Sequence, residues 1–366
     1  MIYFDNAAIM KPDPEVLEKA LPYLTEYWGN PGSAYLFSEK SRRAVEEARE
    51  NVAKYVGASP NEIYFTSGAS ESSSTIIGSY RSIITTKIEH PSVLNATDNK
   101  IYAELYRDGK VNLGKLRGII ANNPNKLVSI GAANSEIGTI QPIEEIANLC
   151  KQFKAEFHCD ITQLIAHCQV NLGNVGVDYA SASGQKLGGV PGTGFMYIKS
   201  DKKKRIFPLI KGGGQERGIR SGTLNTFGIV ALGEACKKKM DKQAKDYPKE
   251  IRLRDYLINR ISKEIPDCIL NGPSYNRLPG NVSFSFKGVL SENLIIALDL
   301  EDICCSAGSA CHADSKEASS VLRAIEVPEE YIHGTLRFTL CADNTNDEID
   351  YVVEKLKNIV ERQRQK

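Results

Sequence analysis

Residues 178–194 decide the fold, and they read DYASASGQKLGGVPGTG. Strand-forming residues end at Ser183 and Gly184, Lys186 follows, and the loop behind it contains four glycines. A lysine just past the end of a strand can face the crevice in which α/β sheets bind their ligands. An isolated loop lysine is more often a solvated surface residue, so the rest of the chain has to decide between these two interpretations of Lys186.

Length and composition indicate a soluble protein with two domains. The chain has 366 residues, more than one compact core usually holds, with 42% hydrophobic and 25% charged residues. A net charge of +1 gives no electrostatic reason to expect nucleic acid or a membrane surface as a partner. Neither a membrane-spanning run nor a signal peptide is recognisable, so we expect no membrane association and a cytoplasmic location.

The chain contains nine cysteines, an odd number scattered over its length. This usage predicts free thiols in a reducing compartment rather than a disulfide framework. Cys304, Cys305 and Cys311 lie close together, and a metal site built on them remains an alternative. Because no Cys-x-x-Cys pair or zinc-type spacing is present, the sequence predicts no metal ion.

Short strands alternate with helices through most of the chain. This alternation predicts the α/β class, with a mostly parallel sheet covered by helices on both faces. Helical spacing of apolar residues predicts helices at 38–56 and 143–154, among others. The strands are predicted at 63–67, 82–88, 101–106, 126–133, 156–160, 178–183 and 194–198.

The composition changes after residue 247. A long helical pattern at 223–265, with an expected break near Pro248, leads into an α+β pattern. We therefore expect a large domain at 14–247 and a smaller domain formed by 1–13 together with 248–366.

Three features at predicted strand ends belong together chemically. Residues 67–71, SGASE, open a helix whose free N–H groups suit a phosphate, Asp160 ends a second strand, and Lys186 follows a third. The glycine-rich stretch 212–223 is neither a Walker loop nor a G-x-G-x-x-G fingerprint, which argues against a nucleotide. A lysine for a Schiff base, an acid for a ring nitrogen and a phosphate cradle together predict pyridoxal 5′-phosphate as cofactor.

The chain resembles the NifS/IscS-type cysteine desulfurases, which are pyridoxal-phosphate-dependent enzymes of the class V aminotransferase fold. The resemblance runs nearly end to end. It implies an α/β PLP-dependent transferase fold, with a large domain and a smaller α+β C-terminal domain. It rests on the segments YFDNAA (3–8), FTSGASE (65–71), KIEH (87–90), EIG (136–138), DITQ (160–163), SGQK (183–186), ERGIRSGT (216–223), SAGSAC (306–311) and LRFT (336–339).

The resemblance implies a role for each matching residue around the cofactor. Lys186 would form the Schiff base, Asp160 would bind the ring nitrogen, and His90 would stack on the ring and assist proton transfer. Gln163 would bond the phenolic oxygen. Thr223 would reach the phosphate of the other subunit, which implies a homodimer with shared active sites. The phosphate would be held by Ala69, Ser70 and Ser183.

The resemblance also assigns the substrate site. Arg337 would bind the carboxylate of L-cysteine by a two-pronged contact, and Asn30 would lie in the same site. Cys311 matches the cysteine that takes the sulfur as a persulfide and carries it to an acceptor protein, for which an iron–sulfur scaffold is one candidate.

The sequence departs from the family pattern at several positions around the cofactor. Ser135 stands where an asparagine usually contacts the cofactor ring, so this contact would fall to a shorter side chain. Gln185 replaces the histidine that usually precedes the Schiff-base lysine. Further departures are Leu36, Ser73, Ser74 and Gln215. They mark the chain as an atypical member.

The function implied is conversion of L-cysteine to L-alanine, with sulfur passing to Cys311. A selenocysteine lyase, another C–S lyase or an aminotransferase on the same fold remains an alternative. A second alternative, from another class, is a non-catalytic sulfur-assembly scaffold that has kept only the fold.

Overall fold

The computed structural model describes residues 1–124, 126–308 and 319–365. Its strands, in chain order, are β1 (Ile2–Tyr3), β2 (Ile63–Thr66), β3 (Ile83–Thr85), β4 (Lys100–Tyr102), β5 (Leu127–Ser129), β6 (Glu156–Asp160), β7 (Tyr179–Ser183), β8 (Gly194–Ile198), β9 (Cys268–Leu270), β10 (Asn281–Phe286), β11 (Ile303–Cys304) and β12 (Thr335–Thr339).

The helices surround these strands, and short 3₁₀ turns connect several of them. The α-helices are α1 (Pro14–Ala20), α2 (Pro22–Thr25), α3 (Glu39–Val56), α4 (Ala69–Ile77), α5 (Pro91–Leu94), α6 (Leu113–Ala121), α7 (Ile143–Gln152), α8 (Thr162–Ile165), α9 (Leu172–Val175), α10 (Thr226–Glu264), α11 (Ser291–Asp299), α12 (Ser320–Ala324), α13 (Glu329–Ile332) and α14 (Asn346–Arg364). The 3₁₀ turns are Leu36–Ser38, Pro60–Glu62, Gly184–Lys186, Ser200–Arg205 and Glu216–Gly218.

A seven-stranded sheet forms the larger part of the molecule, in the order β2-β8-β7-β6-β5-β3-β4. The pairs among β7, β6, β5, β3 and β4 are parallel, whereas β8 runs antiparallel to both β2 and β7. Every residue of β2, β7 and β8 is buried, because helices cover both faces of the sheet. The expectation of an α/β fold with a mostly parallel sheet is confirmed.

A second core lies around a three-stranded antiparallel sheet in the order β12-β10-β9, with the parallel pair β1 and β11 beside it. Its apolar side chains come mainly from these strands, α11, α14 and the end of α10. The pairing of β1 with β11 attaches the N-terminus to this second core. The domain bounds at 14–247, 1–13 and 248–366 stay a prediction.

Helix α10 is continuous over 39 residues with Pro248 in its interior, so the expected break near Pro248 is wrong. An interior proline removes one helical hydrogen bond and costs about 3 kcal/mol. Packing on both sides of Pro248 outweighs this cost. Leu232 and its neighbours bury themselves against the large sheet, whereas Leu253 and Leu257 belong to the second core. Tertiary burial therefore overrides the local signal.

Among the described residues, no helix combines the length and apolar composition that crossing a lipid bilayer requires. Within the same residues, no cluster of three or more histidine, cysteine, aspartate or glutamate side chains is arranged to hold a metal ion.

Candidate active site

The predicted site residues of the large sheet gather where its strands end. Asp160 is the last residue of β6 and Ser183 the last residue of β7, and these two strands are parallel neighbours. Lys186 closes the 3₁₀ turn that follows β7 directly. Parallel strands place their carboxyl ends along one edge, which is where α/β sheets bind ligands. The acid, the hydroxyl and the amine therefore lie along the same edge of the sheet.

The N-terminus of α4 and the end of β7 form one polar turn. The backbone N–H of Ala69 donates to Ser183 Oγ at 2.7 Å. At Gly194, a Cβ would lie 2.3 Å from the carbonyl oxygen of Ala182 and 2.6 Å from Gly68 Cα, so only glycine allows β8 to approach so closely. Helical N–H groups beside a serine hydroxyl make a site suited to phosphate.

Glu71 stabilises this turn from outside. Its carboxylate accepts a hydrogen bond from the N–H of Ser67 at 2.7 Å and pairs with Arg220 at 3.0 Å. An acidic residue in the first turn of α4 also interacts favourably with the helix dipole. Arg220 belongs to the glycine-rich stretch 212–223, so that stretch contributes to holding the turn at the start of α4. Ser70 follows Ala69 in α4 and is exposed.

The N-terminal segment lies against the lysine turn. Lys186 Nζ donates to the carbonyl oxygen of Ala8, and the N–H of Met10 donates to the carbonyl oxygen of Gln185 at 3.0 Å. Gln163 Nε2 donates to the carbonyl oxygen of Ala7 at 3.2 Å. Lys186 and Gln163, both predicted to contact the cofactor, are thus held by consecutive residues of one segment.

Asp160 is half-buried, and its Oδ1 accepts the N–H of Thr162 at 2.9 Å. A second carboxyl lies nearby, on Glu89, which accepts hydrogen bonds from Thr86 Oγ1 at 2.7 Å and from the N–H of Gly131 at 2.8 Å. Burial, and then the charge of Asp160, raises the pKa of Glu89 to about 7. The sequence analysis missed Glu89, although it directly precedes His90 in the KIEH segment.

A buried histidine lies two residues before Asp160, on the same face of β6. His158 Nδ1 is 2.8 Å from Ser129 Oγ, and its Nε2 is 3.1 Å from Ser181 Oγ, which accepts from Ser73 Oγ at 2.9 Å. Burial lowers the pKa of His158 to about 4, so its imidazole is neutral at physiological pH. Sequence reasoning did not identify this hydrogen-bonded chain; its only signal was polar residues in buried strands.

His90 caps the N-terminus of α5. The N–H of Ser92 donates to His90 Nδ1 at 3.1 Å, so the neutral ring carries its proton on Nε2. The residue is exposed at the carboxyl end of β3, in the same row of strand ends as Asp160. A ring with a defined tautomer on the open side of the sheet suits the predicted role in stacking and proton transfer.

Arg337 lies in β12, as predicted, and is only 2% exposed. Its Nη2 donates to Asp5 Oδ1 at 2.6 Å, and Ser306 Oγ donates to the other oxygen of the same carboxylate at 2.8 Å. Among the described residues, Arg337 Nε has no hydrogen-bond partner. Asp5 therefore holds one part of the guanidinium.

The remaining predicted residues lie at different depths. Ser135 is half-buried, and its carbonyl oxygen accepts from Asn281 Nδ2 at 3.0 Å. Asn30 is exposed, and its Oδ1 accepts the N–H of Gly32 within its own loop at 2.9 Å. Thr223 is exposed between the Glu216–Gly218 turn and α10. The structure leaves Asn30 and Thr223 at the surface rather than packed among the strand ends.

Cys311 lies outside the described residues. Its neighbours Cys304 and Cys305 are described, and burial raises the pKa of both, to about 12 for Cys305. Since the thiolate is the nucleophilic form, this burial makes both thiols weaker nucleophiles than an exposed cysteine.

The donor set at the strand ends fits pyridoxal 5′-phosphate. An amine, a carboxylate and a helical N-terminus with a serine hydroxyl are what its aldehyde, ring nitrogen and phosphate require. In this structure these groups are provided by Lys186, Asp160 and the turn formed by Ala69 and Ser183.

The chain is similar to known proteins over nearly its whole length. Residues 2–352 match the family model of aminotransferase class V. A cysteine desulfurase IscS from Clostridium botulinum is 42% identical, over 100% of this chain and 95% of that protein, and one from Dictyoglomus turgidum is 40% identical, over 99% and 95%.

Solved structures are similar as well. A NifS-like protein superposes with a TM-score of 0.91 at 34% identity, covering 99% of both chains. A structure described as SspA in complex with cysteine has a TM-score of 0.81 at 31% identity, covering 94% of this chain and 100% of that one. The chain therefore belongs to the class V aminotransferase family, among its pyridoxal-phosphate-dependent cysteine desulfurases.

Proposed function

We propose that the chain converts L-cysteine to L-alanine, that Lys186 and Arg337 bind and activate the substrate, and that Cys311 receives the sulfur. The observation that carries this proposal is the meeting of Lys186, Asp160 and the Ala69–Ser183 turn at one sheet edge. The cysteine in the SspA structure supports the choice of substrate, because that protein shares 31% of its sequence with this chain.

Lys186 has two tasks in this proposal: it holds the cofactor covalently, and it moves the Cα proton of the substrate. A free lysine with an ordinary pKa of about 10.4 is only about 0.04% neutral at pH 7, so covalent attachment to the cofactor would keep the amine from being an unreactive ammonium. When bound, pyridoxal phosphate supplies an electron sink for the bonds at the Cα of an amino acid. Asp160 would support that chemistry by binding the ring nitrogen through its carboxylate.

Arg337 supplies the site for the substrate carboxylate. Asp5 already accepts from its Nη2, so the substrate would bind to donors that Asp5 leaves open. This arrangement fixes the guanidinium plane before the substrate arrives. A fixed fork binds a carboxylate with two parallel hydrogen bonds and orients the amino acid along the strand ends.

Sulfur transfer is assigned to Cys311. The thiolate of Cys311 attacks the sulfur of L-cysteine. The new S–S bond forms as the Cβ–S bond breaks, and Cβ takes up a proton to give alanine. The persulfide then passes its terminal sulfur to an acceptor protein. An unperturbed thiol with a pKa near 8.5 is a few per cent thiolate at pH 7, which is enough for a nucleophile of this strength.

We further propose a homodimer in which Thr223 contacts the phosphate site of the partner subunit, and a location in the cytoplasm. The exposure of Thr223 supports the first part, since a residue that reaches another subunit has to lie at the surface. The described cysteines are all free, which is consistent with a reducing compartment.

Product analysis tests the proposed reaction. The protein loaded with pyridoxal phosphate is given L-cysteine, and alanine and sulfide are quantified for the wild type, Cys311→Ser and Cys305→Ser. We expect alanine from the wild type and from Cys305→Ser, and no sulfide from Cys311→Ser although it retains the cofactor. Normal turnover by Cys311→Ser would remove Cys311 from the mechanism. An intact, yellow wild type that forms no alanine would overturn the function itself.

Two parallel measurements address the alternatives. Faster alanine formation from selenocysteine than from cysteine would favour a selenocysteine lyase. A protein that stays colourless with pyridoxal phosphate, and is not modified by borohydride in its presence, would favour a non-catalytic scaffold.

A further inference from the structure

A buried carboxyl that the proposed mechanism does not use lies between the two described residues that adjoin the segment with Cys311. Glu136 is 1% exposed. Its Oε2 accepts a hydrogen bond from Ser319 Oγ at 2.8 Å. On the other side, a Cβ built on Gly308 would lie 2.7 Å from its Oε1. Gly308 and Ser319 are the last and first described residues around 309–318.

The backbone that carries Glu136 is held firmly. The side chain of Asn134 accepts the N–H groups of Glu136 and Ile137 at 2.8 and 3.0 Å and donates to the carbonyl oxygen of Ile88 at 2.8 Å. The carbonyl oxygen of Ile137 accepts from the buried Arg277 at 3.0 Å. Glu136 therefore projects from a turn tied to neighbouring backbone on both sides.

Each contact with Glu136 has a distinct character. Ser319 donates its hydroxyl proton to Glu136, and the same oxygen accepts the N–H groups of Val321 and Leu322, so it also caps α12. Gly308 has a φ of +68°, a conformation that other residues rarely adopt, and it leaves no room for a side chain beside Glu136. Both flanking positions are thus adapted to the same carboxyl.

The state of the carboxyl is consistent with an anchoring role. Its Oε1 has no hydrogen-bond partner among the described residues, although it is buried. Burial raises the pKa of Glu136 to about 7, and the charge of Arg337 acts in the opposite direction. A buried, incompletely bonded carboxyl costs free energy, so its position calls for a compensating role.

We propose that Glu136 is a positioning residue: its hydrogen bond with Ser319 and its close packing against Gly308, the described residues on either side of segment 309–318, set how readily Cys311 reaches the substrate sulfur. The inference rests on the proposed function of Cys311. Its effect falls on the sulfur-transfer step, because the described hydrogen bonds of Glu136 reach neither the Gly184–Lys186 turn nor the turn formed by Ala69 and Ser183. Small losses of alignment at a reacting centre cost about 100-fold in rate.

The test compares Glu136→Ala, Glu136→Gln and Ser319→Ala, with Ser320→Ala as the matched control. Ser320 is the exposed neighbour of Ser319 at the start of α12. We expect Glu136→Ala and Ser319→Ala to lower kcat for alanine formation about 10- to 100-fold with little change in KM. Glu136→Gln keeps an acceptor oxygen for Ser319 and should recover most of the rate. Ser320→Ala should behave as the wild type.

A second readout needs no substrate. The rate at which iodoacetamide alkylates Cys311 is measured by mass spectrometry, with added glutathione as the internal reference thiol. We expect Glu136→Ala and Ser319→Ala to change the rate at Cys311 several-fold and Ser320→Ala to leave it unchanged. Because alkylation does not depend on turnover, this readout tests the role of Glu136 even if the wild type forms no alanine. Failure of the inference can therefore be told apart from failure of the proposed function.

Three outcomes would overturn the inference. Ser319→Ala could match the wild type in both readouts, or Glu136→Gln could be as impaired as Glu136→Ala. Alternatively, the losses of Glu136→Ala and Ser319→Ala could multiply in the double variant, which would show that they do not act through one shared contact. If Glu136→Ala fails to fold, as judged by cofactor absorbance and circular dichroism, Ser319→Ala and Glu136→Gln decide the question.

Discussion

Protonation of the buried His158 should lower the stability of the fold at acidic pH, and replacing this histidine should remove that effect. The imidazole is fully buried between Ser129 and Ser181, and burial lowers its pKa to about 4, against about 6.5 in an unfolded chain. The unfolded chain therefore binds this proton more tightly than the folded one. The stabilisation is complete above about pH 6.5 and is lost as the pH falls towards 4.

The size of the effect follows from this difference in pKa. The difference between a pKa of about 4 in the folded chain and about 6.5 in the unfolded chain corresponds to about 3 kcal/mol, of which about 2 kcal/mol is lost between roughly pH 7.5 and pH 5. His158→Gln keeps an amide that can bond to a serine hydroxyl and cannot take up a proton in this range. The free energy of unfolding of the wild type should therefore fall by about 2 kcal/mol more than that of His158→Gln on this acidification.

Two measurements check this expectation. Urea unfolding at about pH 7.5 and pH 5 gives the difference between wild type and variant, in which the titration of other groups largely cancels. The chain has five histidines, so ¹³C labelling of histidine gives a simple spectrum, and the signal missing in His158→Gln belongs to His158. A signal that titrates with a midpoint above pH 6, or equal acid losses in both proteins, would refute the reasoning.

Three further predictions follow from other parts of the molecule. Arg337→Lys keeps the positive charge beside Asp5 but loses the planar guanidinium, so KM for L-cysteine should rise about tenfold. The cofactor spectrum should be unchanged. An unaltered KM would exclude Arg337 from carboxylate binding. Burial raises the pKa of Glu89 to about 7, so the folded chain holds this proton more tightly than the unfolded one, and stability is lost as the pH rises from about 4.5 through 7. The free energy of unfolding of Glu89→Gln, measured in urea, should accordingly fall by about 2 kcal/mol less between roughly pH 5 and pH 8 than that of the wild type. An equal fall in both proteins would contradict a raised pKa of Glu89. Pro248→Ala restores a helical N–H in α10 and should raise the free energy of unfolding by about 1–2 kcal/mol, whereas a lower thermal midpoint would show that the proline is favoured by its packing.

The parts of the site that were predictable from sequence are local ones. Strand-forming residues followed by a glycine turn placed Lys186 at a strand end, and the SGASE segment placed Ala69 at a helix start, because these signals span only a few residues. The pairing of Arg337 with Asp5 joins residues 332 positions apart, and no local pattern carries it. The same holds for Glu89, whose altered pKa arises from burial that only the folded chain creates.

The fold shows the same limit. The alternation of strands and helices predicted the parallel sheet, but the strand order and the antiparallel insertion of β8 between β2 and β7 depend on contacts between distant segments. The continuity of α10 through Pro248 is decided by two cores that bury its two halves. Local propensity competes there with tertiary packing, and packing contributes more free energy.

The first ten residues connect Arg337 and Lys186, the two groups to which we assign substrate binding. Asp5 holds Arg337 of the small sheet, and three residues later the carbonyl oxygen of Ala8 accepts from Lys186 of the large sheet. The strand β1 that precedes Asp5 is itself paired with β11. A segment so short spans little more than 10 Å even when extended, so the guanidinium and the amine cannot move far apart while both contacts persist. The distance between Arg337, the proposed carboxylate site, and Lys186, the proposed reactive amine, is therefore maintained by backbone near the N-terminus rather than by either sheet alone.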